Sequence, residues 1–168
     1  RTEFVASTCA GQRAVVELLA HLTHDGAEVS WPLAVVAETA DDRSVVFRTY
    51  CSQLPVDRRR HVRPPILSPA DAQPGDVVGR HLTALQAGDT DAIMGTFAAQ
   101  GYVREPVEAR MHRGAHELRA YFDRCFGAGG GVALQPCAIT DDGARCVLEY
   151  NCANWGRHPL APQAGLGV

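Results

Sequence analysis

The chain has 168 residues, of which 46% are hydrophobic and 21% are charged, as in an ordinary soluble globular protein rather than a disordered one. Its formal net charge of -3 gives no basic footprint for nucleic acid, so we expect no nucleic-acid partner. No apolar run reaches the roughly 18 residues of a membrane-spanning helix, and no secretory leader is visible at Arg1, which together predict a cytoplasmic protein without a membrane partner.

A strand and a helix are predicted first. Residues 4–6, Phe-Val-Ala, favour the end of a strand, and a helix is predicted from Gln12 to the Asp25-Gly26 pair. The apolar residues between them have the i, i+3, i+4, i+7 spacing of an amphipathic helix. They are Val15, Leu18, Leu19 and Leu22.

Two strands are predicted next, over residues 29–38 and 44–52. Both segments are rich in β-forming residues, and they flank a turn at Asp41-Asp42. The first contains Trp31-Pro32. Because proline cannot donate a hydrogen bond to a neighbouring strand, this strand is expected at a sheet edge or at a bulge.

Residues 54–77 are predicted to divide the chain, since they hold five of its ten prolines. Residues 61–67 are a candidate edge strand, and residues 68–77 are typical of a linker. The basic run from Asp57 to Arg63 favours a solvated hairpin tip. Contact with an anion or RNA through Arg58 to Arg63 is the alternative.

The second half opens with a predicted helical pair. The first helix covers residues 78–87, and the second runs from a cap at Asp89 or Thr90 to Phe97. A short strand over residues 102–105 follows.

A third helix and a hairpin complete the predicted elements. The helix begins at Gly114, and the hairpin has strands over residues 132–140 and 144–154 around Asp141-Asp142-Gly143. The helix carries a continuous apolar stripe. It consists of Leu118, Tyr121, Phe122, Cys125 and Phe126.

The segment from Gly114 to Trp155 occurs twice in weakened form, the earlier copy being Gly11 to Gln53. In each copy a predicted helix precedes two strands joined at an Asp-Asp turn. Residues 1–67 are therefore predicted to be a partial copy of the unit that residues 78–168 hold more completely. Either the chain is a trimmed piece of a tandem protein, or the partial copy completes the sheet of the other.

Six cysteines show neither a CxxC pair nor a zinc-like grouping with histidine. Five lie in apolar or alternating segments, where cysteine usually behaves as a small buried hydrophobe. A disulfide and a reactive thiol are the alternatives. We expect no metal ion and no other cofactor.

Residues 78–155 have the order helix, helix, strand, helix, hairpin. Four segments stand out in this order: residues 81–92 (HLTALQAGDTDA), residues 102–106 (YVREP), His112-Arg113-Gly114 and the hairpin from Asp141 to Asn151. With these segments the chain resembles the SnoaL-like branch of the nuclear transport factor 2-like superfamily. The resemblance implies an α+β fold in which a curved antiparallel sheet and helices form a cone around an apolar pocket. Such folds often pair through the outer sheet face, which implies a pseudo-dimer within the chain or a homodimer.

Alternate residues of a strand in such a cone face the cavity. On the last predicted strand Leu148 and Tyr150 share the more apolar face with Cys146 and Cys152, so we expect them to point inward. Tyr150 would then offer a phenol to a ligand carbonyl or oxyanion, or bond a partner in the core. Trp155, after the strand, is a candidate lining residue.

The other candidates lie near the cavity mouth that the resemblance implies. His112 is a candidate general base, with a solvated or helix-capping histidine as the alternative. Glu105 or Arg104 is expected to point inward, where a buried carboxylate moves protons more readily, unless the two form an ordinary surface pair. Tyr102 and Tyr121 are candidate ligand-binding residues.

Two functions fit these residues. The first is binding of a hydrophobic carbonyl metabolite with cofactor-free proton transfer, as in a cyclase or isomerase, with His112 or Glu105 as base and Tyr150 as hydrogen-bond donor. The second is a non-catalytic ligand-binding or dimerisation module. A titrating carboxylate or histidine on the cavity floor favours the first, and a floor of Cys, Leu and Tyr alone favours the second.

Overall fold

A computed structural model describes residues 1–41, 43–105 and 109–168. In these ranges the chain is an α+β protein with antiparallel sheets of four, two and three strands and with helices. The four-stranded sheet, hereafter the first sheet, pairs its strands in chain order. They are β1 (Thr2–Ala10), β2 (Arg13–His24), β3 (Ala27–Asp41) and β4 (Ser44–Cys51).

The helix predicted after Gln12 is wrong, because this segment is β2 and pairs with both β1 and β3. Apolar residues at helical spacing also fit a strand whose two faces are both apolar. Val15 lies on one face of the sheet and Leu18 on the other. Residues 1–51 therefore form a meander without the helix on which the comparison with residues 114–155 was based.

The hairpin predicted after Gly26 is confirmed as β3 and β4, with Asp42 of its turn lying outside the described residues. Of the two alternatives predicted for β3, the sheet edge is wrong, since β3 lies between β2 and β4. The strand does carry an irregularity in its pairing with β4, between Thr39 and Asp41, although this lies away from Pro32. Pro32 nevertheless stands just beyond the last β3–β4 pair, Leu33 with Cys51. There the strand has a neighbour on one side only, which suits a residue without an N–H.

A short helix, α1 (Leu54–Asp57), leads out of the first sheet. Residues 61–67, all of them described, form no strand, so that prediction is wrong. This segment instead lies against the second half of the chain. The carbonyl oxygen of Arg63 accepts a hydrogen bond from the Ala164 N–H at 2.9 Å, and that of Leu67 accepts one from the Asn151 amide at 3.0 Å.

The predicted elements of the second half are confirmed, with three differences. Residues 111–113 form a short strand that was not predicted. The second helix ends at Met94 rather than Phe97. At its N-terminus the Asp89 carboxylate caps it by accepting a hydrogen bond from the Ala92 N–H at 2.9 Å. A last strand was not predicted, because its prolines and glycines obscure any alternation. The elements are α2 (Asp76–Ala87), α3 (Thr90–Met94), β5 (Tyr102–Arg104), β6 (Met111–Arg113), α4 (Gly114–Phe126), β7 (Val132–Asp141), β8 (Cys146–Trp155) and β9 (His158–Gly167).

The three-stranded sheet of β7, β8 and β9, hereafter the second sheet, is covered on both faces. On one face Cys152 and Tyr150 pack against side chains from α2, α3 and α4. On the other face Val147 packs against Val15 and Val36 of the first sheet. The two sheets therefore face each other, and β8 lies at the centre of the second.

The opposite face of the first sheet is open over part of its area. Strand pairing places Phe4, Leu18 and Leu33 on this face, together with Val45 and Phe47. Phe47 is 67% exposed and Phe4 63%. Among the described residues, no helix of the protein is long and apolar enough to cross a membrane.

Candidate functional site

The centre of the candidate site is a buried histidine beside a carboxylate. His112 lies in the β5–β6 ribbon, paired with Val103, and is 3% exposed. Its Nε2 atom lies 3.3 Å from Oε1 of Glu105 but forms no hydrogen bond with any residue in the described ranges. A buried ring nitrogen without a hydrogen bond is costly, so it is well suited to meet a ligand.

Tyr121 forms the next wall of the site. It lies on α4, with its ring centroid 4.8 Å from that of His112 and the two planes tilted by 33°. Burial raises the pKa of Tyr121, and Cys125 one turn along the helix, the Glu105 carboxylate and Tyr150 raise it further. Three neighbouring polar groups therefore influence the Tyr121 phenol.

Tyr150 closes the site from the sheet. Its ring lies across Gly165 on β9, so closely that a Cβ atom at Gly165 would come within 2.4 Å of it. Burial raises the pKa of Tyr150 to about 12, with a smaller contribution from Cys152. A phenol with such a pKa stays protonated at neutral pH and acts as a hydrogen-bond donor rather than as a base.

An aromatic cluster that the sequence did not identify as functional surrounds these groups. His81 on α2 holds its Nδ1 atom 2.8 Å from the Thr96 hydroxyl, and its ring lies edge-on to Phe97 and Phe122. Burial lowers the pKa of His81, which favours the neutral imidazole. His81 belongs to the segment that carried the family resemblance, and this was its only signal in the sequence.

Two predicted ligand-binding residues lie on the surface. Tyr102 is 47% exposed, with the Arg113 guanidinium 5.3 Å above its ring, and Trp155 is 43% exposed at the end of β8. Arg104 is half-buried and donates from Nε to the Met111 sulfur at 3.3 Å. Leu148 is buried within the second sheet. The structure thus gathers His112 and Glu105 with the tyrosines of α4 and β8.

Two concavities of the protein lie elsewhere. One, of about 410 Å³, is formed by α2 and the start of α3 and is lined in part by Arg80, Thr83 and Asp89. The other, of about 320 Å³, lies between residues 65–69 and the second sheet near Asn151. Neither is lined by the residues around His112, so the enclosed cone stays a prediction.

The remaining sequence candidates carry little chemistry. In the basic run, Asp57 accepts a hydrogen bond from the Arg59 N–H and contacts His61, while the Arg63 guanidinium lies over the Tyr50 ring at 5.2 Å. All six cysteines are free, and Cys152 is the one among them that is buried. The described ranges hold no group of three or more His, Cys, Asp or Glu residues able to bind a metal ion.

These elements define an α+β protein whose helices pack on one face of an antiparallel sheet, with a buried imidazole near a partly buried carboxylate and two partly buried phenols. Residues 78–163 match the family model described as a SnoaL-like domain, which is 86 of the 168 residues. The chain therefore belongs to the SnoaL-like domain family, within the nuclear transport factor 2-like superfamily, a family of small-molecule-binding and cyclase-like proteins. No curated protein matches the chain.

Proposed function

We propose that this SnoaL-like domain binds a hydrophobic carbonyl compound between α4 and the second sheet and transfers a proton without a cofactor. The observation that carries the proposal is His112, which is 3% exposed and has an Nε2 atom that forms no hydrogen bond among the described residues, beside the Glu105 carboxylate. A buried base within an aromatic cluster suits the removal of a proton from carbon next to a carbonyl group.

The proton transfer is written with His112 as the base. In the tautomer with the proton on Nδ1, the Nε2 atom accepts a proton from the carbon α to the carbonyl. The electron pair of the C–H bond forms a double bond to the carbonyl carbon, and the π pair of the carbonyl moves onto its oxygen. Glu105, 3.3 Å from Nε2, stabilises the imidazolium ion that forms. The Tyr150 hydroxyl donates a hydrogen bond to the developing oxyanion. Return of the proton to another carbon completes an isomerisation.

Glu105 is the other candidate base, with His112 then orienting it. The two assignments predict different effects of substitution on activity. If His112 takes the proton, His112→Gln removes activity and Glu105→Gln only weakens it, because the imidazole remains. If Glu105 takes the proton, the order reverses.

The test uses 2-tetralone, a hydrophobic ketone with acidic α hydrogens, in deuterated buffer. Proton NMR follows the loss of the α hydrogens, which reports proton transfer without knowledge of the natural substrate. The unaltered protein should accelerate exchange over buffer, and the variant of the true base should lose about 10²- to 10⁴-fold of that acceleration. Tyr150→Phe should lose about 10²- to 10³-fold.

A matched control is available on the same helix. His116 is an exposed histidine of α4, so His116→Gln should exchange at the rate of the unaltered protein. Binding of 2-tetralone, seen as a shift of the His112 ring protons, together with exchange no faster than in buffer would contradict catalysis and support the non-catalytic alternative. Equal exchange in the His112 and His116 variants would contradict this site.

A second candidate is a pairing module, favoured by the face-to-face packing of the two sheets. The Arg48 guanidinium of the first sheet contacts the Glu149 carboxylate of the second at 2.7 Å. This contact supports pairing within the chain, between the sheet of residues 1–67 and that of residues 78–168, which residues 68–77 join. Because residues 1–51 form a meander without the predicted helix, the contact does not make residues 1–67 a second SnoaL-like unit. Size-exclusion chromatography with light scattering tests it, because a monomeric chain is expected if the pairing is internal.

A further inference from the structure

Adjacent residues on one strand connect the two faces of the second sheet. Successive side chains of a strand point to opposite faces. Glu149, 2% exposed, points toward the first sheet, while Tyr150 points toward the helices and the candidate site. Whatever fixes the backbone at Glu149 therefore also fixes the starting point of the Tyr150 side chain.

The Glu149 carboxylate is held by the first sheet at both oxygens. Arg48 donates from Nε to Oε1 at 2.7 Å and from Nη2 to Oε2 at 2.9 Å, and the Tyr50 hydroxyl donates to Oε1 at 2.7 Å. A bidentate arginine pair sets orientation as well as distance, unlike a single point contact. Three charge-assisted hydrogen bonds thus hold this point of β8.

Arg48 is itself held in place. Its Nη1 atom lies 2.8 Å from Oε2 of Glu38 on β3, and Oε1 of Glu38 accepts from Nε of Arg13 at 2.8 Å. Burial alone would raise the pKa of Glu38, but hydrogen bonds from Arg48 and Arg13 keep it below its usual range. The network therefore runs from β2 through β3 and β4 to β8.

The Tyr150 ring tolerates little displacement. It lies across the backbone of Gly165, where even a methyl group would overlap it. A shift of β8 relative to β9 therefore changes the contact between this ring and its neighbours. Glu149, the residue next to Tyr150, is the position on β8 that the first sheet holds by hydrogen bonds.

We propose that Arg48 of the first sheet is a positioning residue that holds the Tyr150 hydroxyl in the candidate site by clamping Glu149 from the opposite face of the second sheet. This inference rests on the proposed function, in which Tyr150 donates a hydrogen bond to the ligand. It gives residues 1–51 a part in the site although none of them belongs to the helix-covered face of the second sheet.

The test measures the ligand-free Tyr150 hydroxyl, so that it does not depend on any assumed substrate. Tyrosine is labelled with ¹³C at Cζ, the Tyr150 signal is assigned with Tyr150→Phe, and its titration is followed by NMR in the full chain. In Arg48→Met, β8 is expected to shift and water to reach the phenol, so that Tyr150 titrates about one pH unit lower than in the unaltered protein. Arg43→Met, at an exposed residue of the turn before β4 in the same sheet, is the matched control and should leave the titration in place.

A second variant covers the case in which Arg48→Met does not fold. The double variant Arg48→Met/Glu149→Leu removes both charges and keeps an apolar contact, which usually preserves stability. Its Tyr150 should still titrate lower, because the bidentate clamp is absent. Titration as in the unaltered protein, in either folded variant, would overturn the proposal. If Arg48→Met lowers the Tyr150 titration but the unaltered protein does not accelerate the exchange of 2-tetralone, the proposed function is contradicted and the positioning role of Arg48 is supported.

Discussion

The two sheets of this protein have similar strand order but differ in what covers them. Both are antiparallel meanders, and each presents one face to the other. The second sheet has α2, α3 and α4 on its remaining face, with Phe122 3% exposed there. The remaining face of the first sheet carries Phe47, which is 67% exposed. The candidate site lies only where helices and sheet meet.

The difference shows that the candidate site depends on the helices that exclude water from the sheet face, and not on the strands alone. Against the helices, Tyr150 lies in surroundings that raise its pKa to about 12, mainly by burial. Thr49, on the open face of the first sheet, is exposed. A polar group acquires unusual chemistry only where water is excluded. The first sheet therefore contributes support rather than reacting groups.

The largest expected effect on the free energy of unfolding is that of Phe122→Ala on the helix-covered face, compared with Phe47→Ala on the open face. Phe122→Ala should lower the free energy of unfolding by about 3 to 5 kcal/mol, because it leaves a cavity among closely packed side chains. Phe47→Ala, at a position that is 67% exposed, should change it by no more than about 0.5 kcal/mol. Urea unfolding at pH 7 measures both.

The pair also checks whether the open face stays open in solution. A cost for Phe47→Ala that approaches the cost for Phe122→Ala would mean that another surface covers the first sheet. That cost should then depend on protein concentration, because a second chain dissociates on dilution.

A smaller effect is expected at high pH from Tyr150. Its pKa of about 12 in the folded protein lies above the ordinary tyrosine value of about 10. The folded state therefore retains the proton longer, so the contribution is present below pH 10 and is lost as pH rises from about 10 to 12. Over that interval the unaltered protein should lose about 2 to 3 kcal/mol more than Tyr150→Phe. Identical losses, measured by urea unfolding at each pH, would contradict burial of this phenol.

The smallest expected effect concerns the contact between the sheets. Tyr50→Phe removes one hydrogen bond to Oε1 of Glu149 but leaves both bonds from Arg48. We expect a loss of about 1 to 2 kcal/mol, as for a hydrogen bond to a charged group. Tyr102→Phe, at a half-exposed ring, is the control and should cost clearly less. Equal losses in thermal unfolding would mean that the hydroxyl of Tyr50 does not support the interface.

Much of the second half could be predicted locally. The apolar stripe of α4, the cap at Asp89 and the turn at Gly143 each depend on neighbouring residues, and each prediction is confirmed. β2 was mistaken for a helix because Val15 and Leu18 serve opposite faces of a sheet, and a strand with two apolar faces has no alternation to recognise. β9 was missed for the related reason that Gly165 replaces a side chain where the Tyr150 ring must lie.

The candidate site was predicted in part. His112, Glu105 and Tyr150 were proposed from residue type and from the family resemblance, and their roles stay predictions. The neighbours that give these groups their surroundings, such as His81, lie far away in the sequence. Nothing local marks them. Glu149 was placed on the less apolar face of its strand, with no indication that this face is also buried.

By itself the sequence determined the helices of the second half, the central hairpin and the family, because these follow from spacing, caps and turns within short segments. The tertiary structure alone decided that the first fifty residues are a meander, that Arg48 meets Glu149 and that His112 is buried beside Glu105. The physical reason is that burial depends on which surfaces pack together, as for Arg48 and Glu149, which are 101 residues apart, and no local pattern encodes that packing.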